Sequence, residues 1–218
     1  MFPYPIATPQ GCNIQTFYGA DGGTLATQAW NKPVGVSHVY MLLIGAGGNG
    51  DGTNGGGSGA VTVWYGAAQN VPNTLMPIVP NNQNGYNTAV YYNARANYQT
   101  LLTANNASDA TAGTATTAGP FAASGFYKST AGQDGTSANV SASATTFLGG
   151  GGSGSTAVIT ANYGYGLSNA ATNINGTFLM QPIIVGFGGK STPGKGGIGC
   201  GGGNNGFGGP GMVLIASW

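Results

Sequence analysis

The chain of 218 residues contains no glutamate, and it has only four aspartates, five lysine or arginine residues and one histidine. An ordinary soluble domain carries charge on about a quarter of its residues, so this surface must be built from Asn, Gln, Ser, Thr and Tyr instead. The net charge of +1 removes most of the repulsion that keeps monomers apart. Such a surface suits permanent assembly or contact with sugars better than solubility in a cytosol.

The shortage of ionisable side chains argues against several classes of protein. Five dispersed cations cannot neutralise a row of phosphates, so we expect no nucleic-acid partner. No membrane-spanning stretch and no amphipathic membrane-surface helix is visible, so we expect no membrane partner. Acid–base or nucleophilic catalysis needs a base beside an activated partner, which this inventory barely supplies. The Cys, His and Asp residues show no ligand spacing, so we expect a protein that is not an enzyme and has neither metal nor cofactor.

The two cysteines, Cys12 and Cys200, lie near opposite ends of the chain. They are compatible with two free thiols, which is the simpler interpretation, and with one disulfide that closes nearly the whole chain. The sequence starts Met-Phe-Pro-Tyr-Pro-Ile and shows neither the basic nor the apolar region of a signal peptide. We therefore expect a protein made in the host cytoplasm that reaches the outside by another route, such as lysis.

Residues 1–30 are expected to form an extended docking arm in front of a glycine-rich β domain of residues 31–218. The apolar side chains of the arm are scattered among prolines and glycines, so that it would become ordered only by docking on a partner. The candidate docking residues are Phe2, Tyr4, Ile6, Ile14 and Phe17.

Apolar and β-branched runs predict strands, and no segment has a helical period with caps. The run 36–44 is apolar on both faces towards its end, as a buried central strand is. Pro77 limits its own strand to an edge or a bulge. Residues 103–146 are expected to be loop with minor strand content. The fold class is therefore all-β, and the length fits one β-sandwich or barrel domain. The other predicted strands are 60–65, 75–79, 88–92, 156–163, 178–185 and 212–218.

The glycine tracts at 45–59, 149–154 and 188–211 join these strands. In the last tract the glycines avoid one phase of a three-residue repeat, and that phase holds Ile198, Phe207 and Pro210. A polyproline-II-like helix has three residues per turn and would place glycine where backbones pack closely. A flexible linker is the alternative, although a linker is seldom found between two strongly hydrophobic strands. We expect ordered, polyglycine-II-like segments.

Two features of the sequence are of a kind that functional sites use, a glycine motif and a single histidine. The stretch Gly45-Ala-Gly-Gly-Asn-Gly50 matches the G-x-G-x-x-G turn of dinucleotide-binding proteins, but more glycine follows where the helix must begin, so we predict no nucleotide site. The single histidine, His38, lies on one strand face with Val36 and Tyr40 and is expected to be packed or half-buried.

Tyrosine is abundant, with 11 residues. Exposed tyrosine beside Asn and Ser makes a rigid and adaptable binding surface of the kind that antibody paratopes use. We take Tyr127, Tyr163 and Tyr165 as candidate surface-binding residues. The alternative is that they are ordinary strand residues on half-buried faces.

The opening Trp30-Asn-Lys-Pro-Val-Gly, the stretch Gly57-Ser-Gly-Ala-Val and the ending Gly208-Gly-Pro-Gly-Met-Val-Leu-Ile-Ala-Ser-Trp218 are the most distinctive motifs. Together they resemble the glycine-rich domain of bacteriophage tail-fibre and other virion surface proteins, over most of residues 30–218. The long Ala/Thr/Asn middle departs from that pattern. The resemblance implies a compact, jelly-roll-like β-sandwich with long glycine-rich loops. It also implies that the chain forms homo-oligomers, with trimers favoured, among other capsid or tail proteins on the virion.

Two functions fit this resemblance. In the first, the chain is a decoration, cement or spike subunit held on the outside of a phage particle through its arm. In the second, it is a receptor-binding tail-fibre tip adhesin that recognises bacterial surface glycans. The copy number per particle separates them, because cement proteins are abundant and tip adhesins are scarce.

Overall fold

The computed structural model describes residues 13–19, 28–51, 53–81, 86–94, 97–135, 196–203 and 205–218. Within these residues the protein consists of strands and loops, with two short 3₁₀ helices at Ala68–Asn70 and Ala122–Ser124. None of the helices in the described ranges has the length and apolar character that crossing a membrane requires. The predicted all-β class is confirmed.

Nine strands form two antiparallel sheets in the described part of the chain. The larger sheet contains, from edge to edge, β1 (Asn13–Tyr18), β9 (Met212–Ser217), β3 (His38–Ile44), β4 (Val61–Ala67) and β8 (Phe126–Thr130). The smaller sheet contains β2 (Trp30–Asn31), β5 (Thr74–Ile78), β6 (Thr88–Ala94) and β7 (Asn97–Ala104).

The main hydrophobic core lies between the two sheets, which confirms the sandwich. The smaller sheet contributes the fully buried side chains of Trp30 and Leu75, and the larger sheet contributes those of Met41, Leu43 and Ile215. Burial of side chains of this size stabilises a fold by about 1.5–3 kcal/mol each. The sandwich is therefore held together mainly by this interior layer.

Strand β3 is apolar on both faces, as its sequence predicts. Alternate residues Val39, Met41 and Leu43 face the core between the sheets, and Leu42 and Ile44 belong to a second buried cluster on the opposite face. A strand buried on both faces does not show the alternation of a half-exposed strand, because neither set of side chains meets water. The second cluster also contains Cys200, which is fully buried. Its potential partner, Cys12, lies outside the described residues.

Pro77 lies on β5, where it pairs with Val90 of β6. On the other side of β5, strand β2 pairs only with Thr74 and Leu75, so Pro77 lies beyond its end. A proline has no backbone N–H to donate to a second neighbouring strand. The prediction of an edge strand or a bulge is therefore wrong: β5 is an inner strand, and it accommodates Pro77 because β2 ends before it.

The predicted extended arm is wrong for residues 13–18. These residues form β1, which pairs over its whole length with β9 at the other end of the sequence. The side chain of Phe17 is 5% exposed and belongs to the core between the sheets, and Trp30 is fully buried as well. The β domain therefore begins at or before residue 13, because its edge strand finds its partner near residue 217. Residues 1–12 lie outside the described ranges.

The Trp-Asn-Lys turn of residues 30–32 has a structural role. Next to the buried indole of Trp30, the ammonium group of Lys32 donates to the carbonyl oxygens of Ala68 and Val71 at 3.0 and 2.7 Å. Both acceptors belong to the 3₁₀ turn of residues 68–71, so one side chain fixes that turn beside the smaller sheet.

The glycine-rich segments run side by side and bond to one another through their backbones. Gly45 and Gly48 donate to the carbonyl oxygens of Ala60 and Gly57, both at 2.8 Å. The donors are three residues apart, and so are the acceptors. The same step of three recurs in other pairs: Gly47–Gly209 with Gly50–Gly206, Gly56–Gly202 with Gly59–Gly199, Gly132–Gly113 with Gly135–Ala110, and Gly196–Phe207 with Gly199–Pro210.

A three-residue step is the repeat of a polyproline-II-type helix, which has no internal hydrogen bonds and so bonds to its neighbours. We call this set of segments, 45–50, 55–60, 105–113, 131–135 and 196–211, the glycine bundle. The prediction of ordered glycine segments with this repeat is confirmed for the described part of the last tract. Within that tract, Ile198 of the glycine-poor phase packs against the second buried cluster, and Phe207 is exposed.

Close backbone contact explains why the bundle needs glycine. A β-carbon on Gly47 would overlap the carbonyl oxygen of Cys200, and one on Gly59 would overlap that of Gly45. Glycine loses more conformational entropy on folding than other residues, at about 0.5–1 kcal/mol relative to alanine. The hydrogen bonds between segments offset this cost, so the bundle is ordered without a core of large side chains.

Candidate functional site

A polar cavity of about 320 Å³ lies where the glycine bundle meets the end of the smaller sheet. Its walls come from the tract after β3, the residues before β6 and the loop after β7. Four of the lining side chains carry an amide or a carboxylate, and one carries a hydroxyl: Asn49, Asn87, Asn106, Asp109 and Ser108. We call this space the asparagine cavity.

Asn106 holds two walls of the asparagine cavity together. Its side-chain oxygen accepts the backbone N–H of Ala46 at 2.8 Å, and its side-chain nitrogen donates to the carbonyl oxygen of Tyr86. The backbone N–H of Asn106 donates to the side-chain oxygen of Asn87 at 3.0 Å. Because the amide oxygen and one amide N–H are bound inside the protein, Asn106 positions the walls of the site.

Asp109 lies in a tight turn that the glycine bundle fixes. Ser108 and Thr111 exchange backbone hydrogen bonds of 3.0 and 2.9 Å across the turn, and Asp109 has a φ of 46°. This left-handed conformation is uncommon outside glycine, although Asp and Asn adopt it more readily than other residues. The backbone N–H of Gly57 donates to the carbonyl oxygen of Asp109 at 2.7 Å, and a β-carbon on Gly48 would overlap the same oxygen. The turn is therefore held from two sides.

Three polar groups remain available to a ligand. Among the described residues, the side-chain nitrogen of Asn87, the hydroxyl of Ser108 and the carboxylate of Asp109 make no hydrogen bond. All three side chains are exposed. The cavity therefore presents an amide donor, a hydroxyl and a charged acceptor on a backbone that is already fixed.

This combination suits a ligand that carries several hydroxyl groups. A sugar hydroxyl both donates and accepts, so neighbouring hydroxyls can donate to the Asp109 carboxylate while they accept from the Asn87 amide. Hydrogen bonds to a charged group are worth about 1.5–3 kcal/mol each, more than those between neutral groups. A cation site has less support, because the described residues contain no group of three or more His, Cys, Asp or Glu side chains.

The predicted docking residues are only partly described. Phe2, Tyr4 and Ile6 lie outside the described residues. The docking role of Phe17 is wrong, because its ring is part of the core and cannot reach a partner. Ile14 is 53% exposed on β1, so its role in docking stays a prediction.

Of the three candidate tyrosines, Tyr163 and Tyr165 lie outside the described residues. Tyr127 is half-buried on β8 and lines a second cavity, so a binding role for it stays a prediction. Its hydroxyl lies 2.6 Å from the hydroxyl oxygen of Thr116 and 2.9 Å from the carbonyl oxygen of the same residue. The ring is thus held in place by a partner within the chain.

His38 is half-buried, as expected, and belongs to a cluster of three rings at the end of the larger sheet. The ring centroids of His38, Tyr65 and Trp218 lie 5.6–6.1 Å apart, and their planes are within 11–19° of parallel. We call these residues the aromatic cluster. The C-terminal residue Trp218 thus packs against the only histidine of the sequence. The hydroxyl of Ser37 lies 2.9 Å from Nδ1 of His38.

The asparagine cavity has almost no signal in the sequence. Its available groups come from Asn87 and from the stretch Asn105-Asn-Ala-Ser-Asp109, whose composition predicts only a turn. Strands β6 and β7 bring these two stretches together, and β7 lies partly in a region without a clear period. The stretch Gly45–Gly50, which matches a dinucleotide turn, is part of the glycine bundle, and no helix follows it.

No protein-family model, curated protein or solved structure matches the chain.

Proposed function

We propose that this protein is a non-enzymatic sugar-binding subunit on the outside of a bacteriophage particle, where it recognises glycans of the bacterial surface. The observation that carries the proposal is the asparagine cavity, in which Asn87, Ser108 and Asp109 present unused polar groups on a fixed backbone. The placement on a phage rests on the resemblance of residues 30–218 to virion surface proteins. Other virion proteins and further copies of the chain, in a trimer, are its proposed partners.

The chemistry of the cavity favours binding over catalysis. Of the described residues that line it, Asp109 alone has an ionisable side chain, and none is a histidine, cysteine or lysine. General acid–base catalysis needs a second titratable group or an activated nucleophile within hydrogen-bond reach. His38 belongs to the aromatic cluster and lines neither cavity.

An array of neutral and acidic bacterial surface glycans tests the proposal. The wild type is compared with Asp109→Asn, which keeps the shape of the side chain and removes its charge. We expect the wild type to bind neutral members of the array, and Asp109→Asn to bind them about ten- to a hundredfold more weakly. Absence of binding to every glycan would overturn the proposed function.

Asp51→Asn is the matched control for the array. Asp51 is also exposed, and it directly follows the bundle segment 45–50, but it lines neither cavity. Its carboxylate accepts the backbone N–H groups of Thr53 and Asn54 at 2.9 and 2.7 Å, and the amide oxygen of asparagine can do the same. Equal losses in the two variants would show that net charge, and not the asparagine cavity, governs binding.

A second candidate function is that of a decoration or cement subunit. It is favoured by Ile14 and Tyr18, which share one face of the edge strand β1 and are 53% and 52% exposed. Apolar side chains at a sheet edge suit a permanent contact with another virion protein. Quantitative mass spectrometry of purified particles distinguishes the two functions: hundreds of copies per particle support decoration, and a handful supports a tip adhesin.

A further inference from the structure

A second cavity, of about 480 Å³, runs along β7, which is the edge strand of the smaller sheet. Strand β7 forms one wall, residues 115–119 form the other, and Tyr127 and Ala122 lie between them. We call this space the threonine groove, because Thr100, Thr103, Thr116 and Thr117 line it.

The far wall of the threonine groove is fixed before any ligand binds. The hydroxyl of Thr116 donates to the carbonyl oxygen of Thr103 at 3.0 Å, and the Thr116 backbone N–H donates to the hydroxyl oxygen of Ser129 at 2.9 Å. Together with the contact between Thr116 and Tyr127, these bonds tie residues 115–119 to both sheets. A ligand that enters this groove does not have to order its walls, which favours affinity.

Strand β7 changes its pairing where it lines the groove. Val90 of β6 pairs with Leu102, but the next residue, Tyr91, pairs with Thr100, so Leu101 is an extra residue in β7. An insertion of this kind is a β-bulge, which bends a strand and changes the direction of its side chains. Thr100, beside the bulge, is exposed on the groove, and so is Thr117 on the opposite wall.

The threonine groove and the asparagine cavity are neighbours. Asn105 lines the groove, and the next residue, Asn106, lines the asparagine cavity. The two linings therefore meet at one stretch of backbone, residues 105 and 106. A ligand that occupies both spaces must pass this stretch, which requires a chain of two or more sugar units.

The charge of the two linings restricts which sugars they accept. Among the described residues, no lysine or arginine lines either space, and Asp109 is the only one with a charged side chain in the two linings. A sugar carboxylate or phosphate would lose water without gaining a cationic partner, and it would be repelled by Asp109. A neutral sugar meets no such penalty.

We infer that the ligand is a neutral oligosaccharide that occupies the asparagine cavity and the threonine groove together. This inference rests on the proposed function and adds the chain length and the charge of the ligand. Asp109 and Asn87 hold one end through hydrogen bonds. The groove holds the next units between the hydroxyls of Thr100 and Thr117, with the Tyr127 side chain between its walls.

Gly119 offers a way to block the groove alone. It lines the groove, and a β-carbon at this position meets nothing within 4 Å. Gly119→Phe therefore adds a large ring at the lining of the groove, and its β-carbon has open space around it. Gly119→Ala is the matched control, because it changes the backbone preference in the same way and leaves the groove open. Thermal unfolding of both variants confirms that they are folded.

The test is isothermal titration with fragments of one, two, three and six sugars prepared from the neutral polysaccharide that the array identifies, and with an acidic polysaccharide as a further probe. For the wild type and Gly119→Ala, we expect affinity to rise at least about tenfold from one sugar to three. For Gly119→Phe, we expect single-sugar affinity to be unchanged and the gain with length to disappear.

Three results would overturn the inference. Affinity that does not depend on chain length, or a gain with length that survives in Gly119→Phe, would show that the groove is not used, while the proposed function would stand. Equal or stronger binding of the acidic polysaccharide would show that the assignment of a neutral ligand is wrong. If the wild type binds no sugar of any length, both the inference and the proposed function fail.

Discussion

The backbone N–H of Gly47 donates a hydrogen bond of 2.9 Å to the carbonyl oxygen of Gly209. Most of the sequence, including strands β4 to β8, lies between these two residues, so the bond joins the first glycine tract to the last. It recurs three residues further on, between Gly50 and Gly206. The glycine bundle that results fixes the Asp109 turn, and with it the position of the candidate binding groups. Order in the bundle is therefore the basis of the proposed site.

Gly47→Ala is expected to destabilise the protein by more than about 3 kcal/mol, because the new β-carbon would overlap the backbone of Cys200. Gly119→Ala is the control, since open space surrounds that position. There we expect a change of less than about 1 kcal/mol, with a small gain in stability as the favoured direction. Chemical denaturation measures both. Equal effects at the two positions would mean that the bundle does not pack as closely as described.

Phe17→Ala is expected to cost about 3–5 kcal/mol, as the loss of a buried aromatic ring does. Ile14→Ala, on the same strand, should cost less than about 1 kcal/mol, because more than half of that side chain is exposed. Urea unfolding of the two variants distinguishes a strand of the domain from a docking arm. If Phe17 were part of an arm, its replacement would leave the unfolding midpoint unchanged.

Burial raises the pKa of the Tyr40 hydroxyl well above its ordinary value. The unfolded chain releases this proton near pH 10, whereas the folded chain retains it, so folding stability falls as the pH rises above about 10. Below that pH the contribution of Tyr40 is fully present. Tyr40→Phe has no proton to release and should lose less stability between pH 9 and 11, as urea unfolding across that range can show. An identical alkaline loss in the wild type and the variant would contradict this account.

The groove wall provides a further prediction. Thr116→Val keeps the size of the side chain and removes the hydroxyl that donates to Thr103 and contacts Tyr127. The Thr103 carbonyl keeps its bond from the Thr62 hydroxyl, so we expect only the net loss of a hydrogen bond, about 0.5–1.5 kcal/mol. Thr117→Val, whose side chain is exposed one residue further along, should unfold at the wild-type temperature. Thermal unfolding compares the two, and equal melting temperatures would show that the hydroxyl network does not hold the wall.

How much of the fold the sequence predicts depends on where each strand finds its partner. Strands β3, β4, β5, β6 and β9 are rich in apolar or β-branched residues and were predicted. Strand β1 was missed because prolines and glycines surround it and its partner lies near residue 217. Strands β7 and β8 were missed because their Thr, Gln, Lys and Ser residues suit a half-exposed strand and a loop equally well.

The candidate site could not be predicted, because its parts lack a local pattern. Asn87 and Asp109 belong to turns of ordinary composition, and only the pairing of β6 with β7 brings them to one cavity. The glycine bundle could be predicted only in part. Its three-residue repeat is visible in the last tract of the sequence, but the neighbours of each segment depend on contacts between distant tracts.

The central claim is that the asparagine cavity binds sugar, and amide NMR of the ¹⁵N-labelled protein tests it most directly. The titrant is the neutral glycan fragment that binds best on the array. We predict that the side-chain amide of Asn87 and the backbone amides of Ser108 and Asp109 shift and saturate together, and that the same signals stay unchanged in Asp109→Asn at equal glycan concentration. Shifts confined to a distant site such as the aromatic cluster of His38, Tyr65 and Trp218, with the asparagine cavity unaffected, would contradict the account.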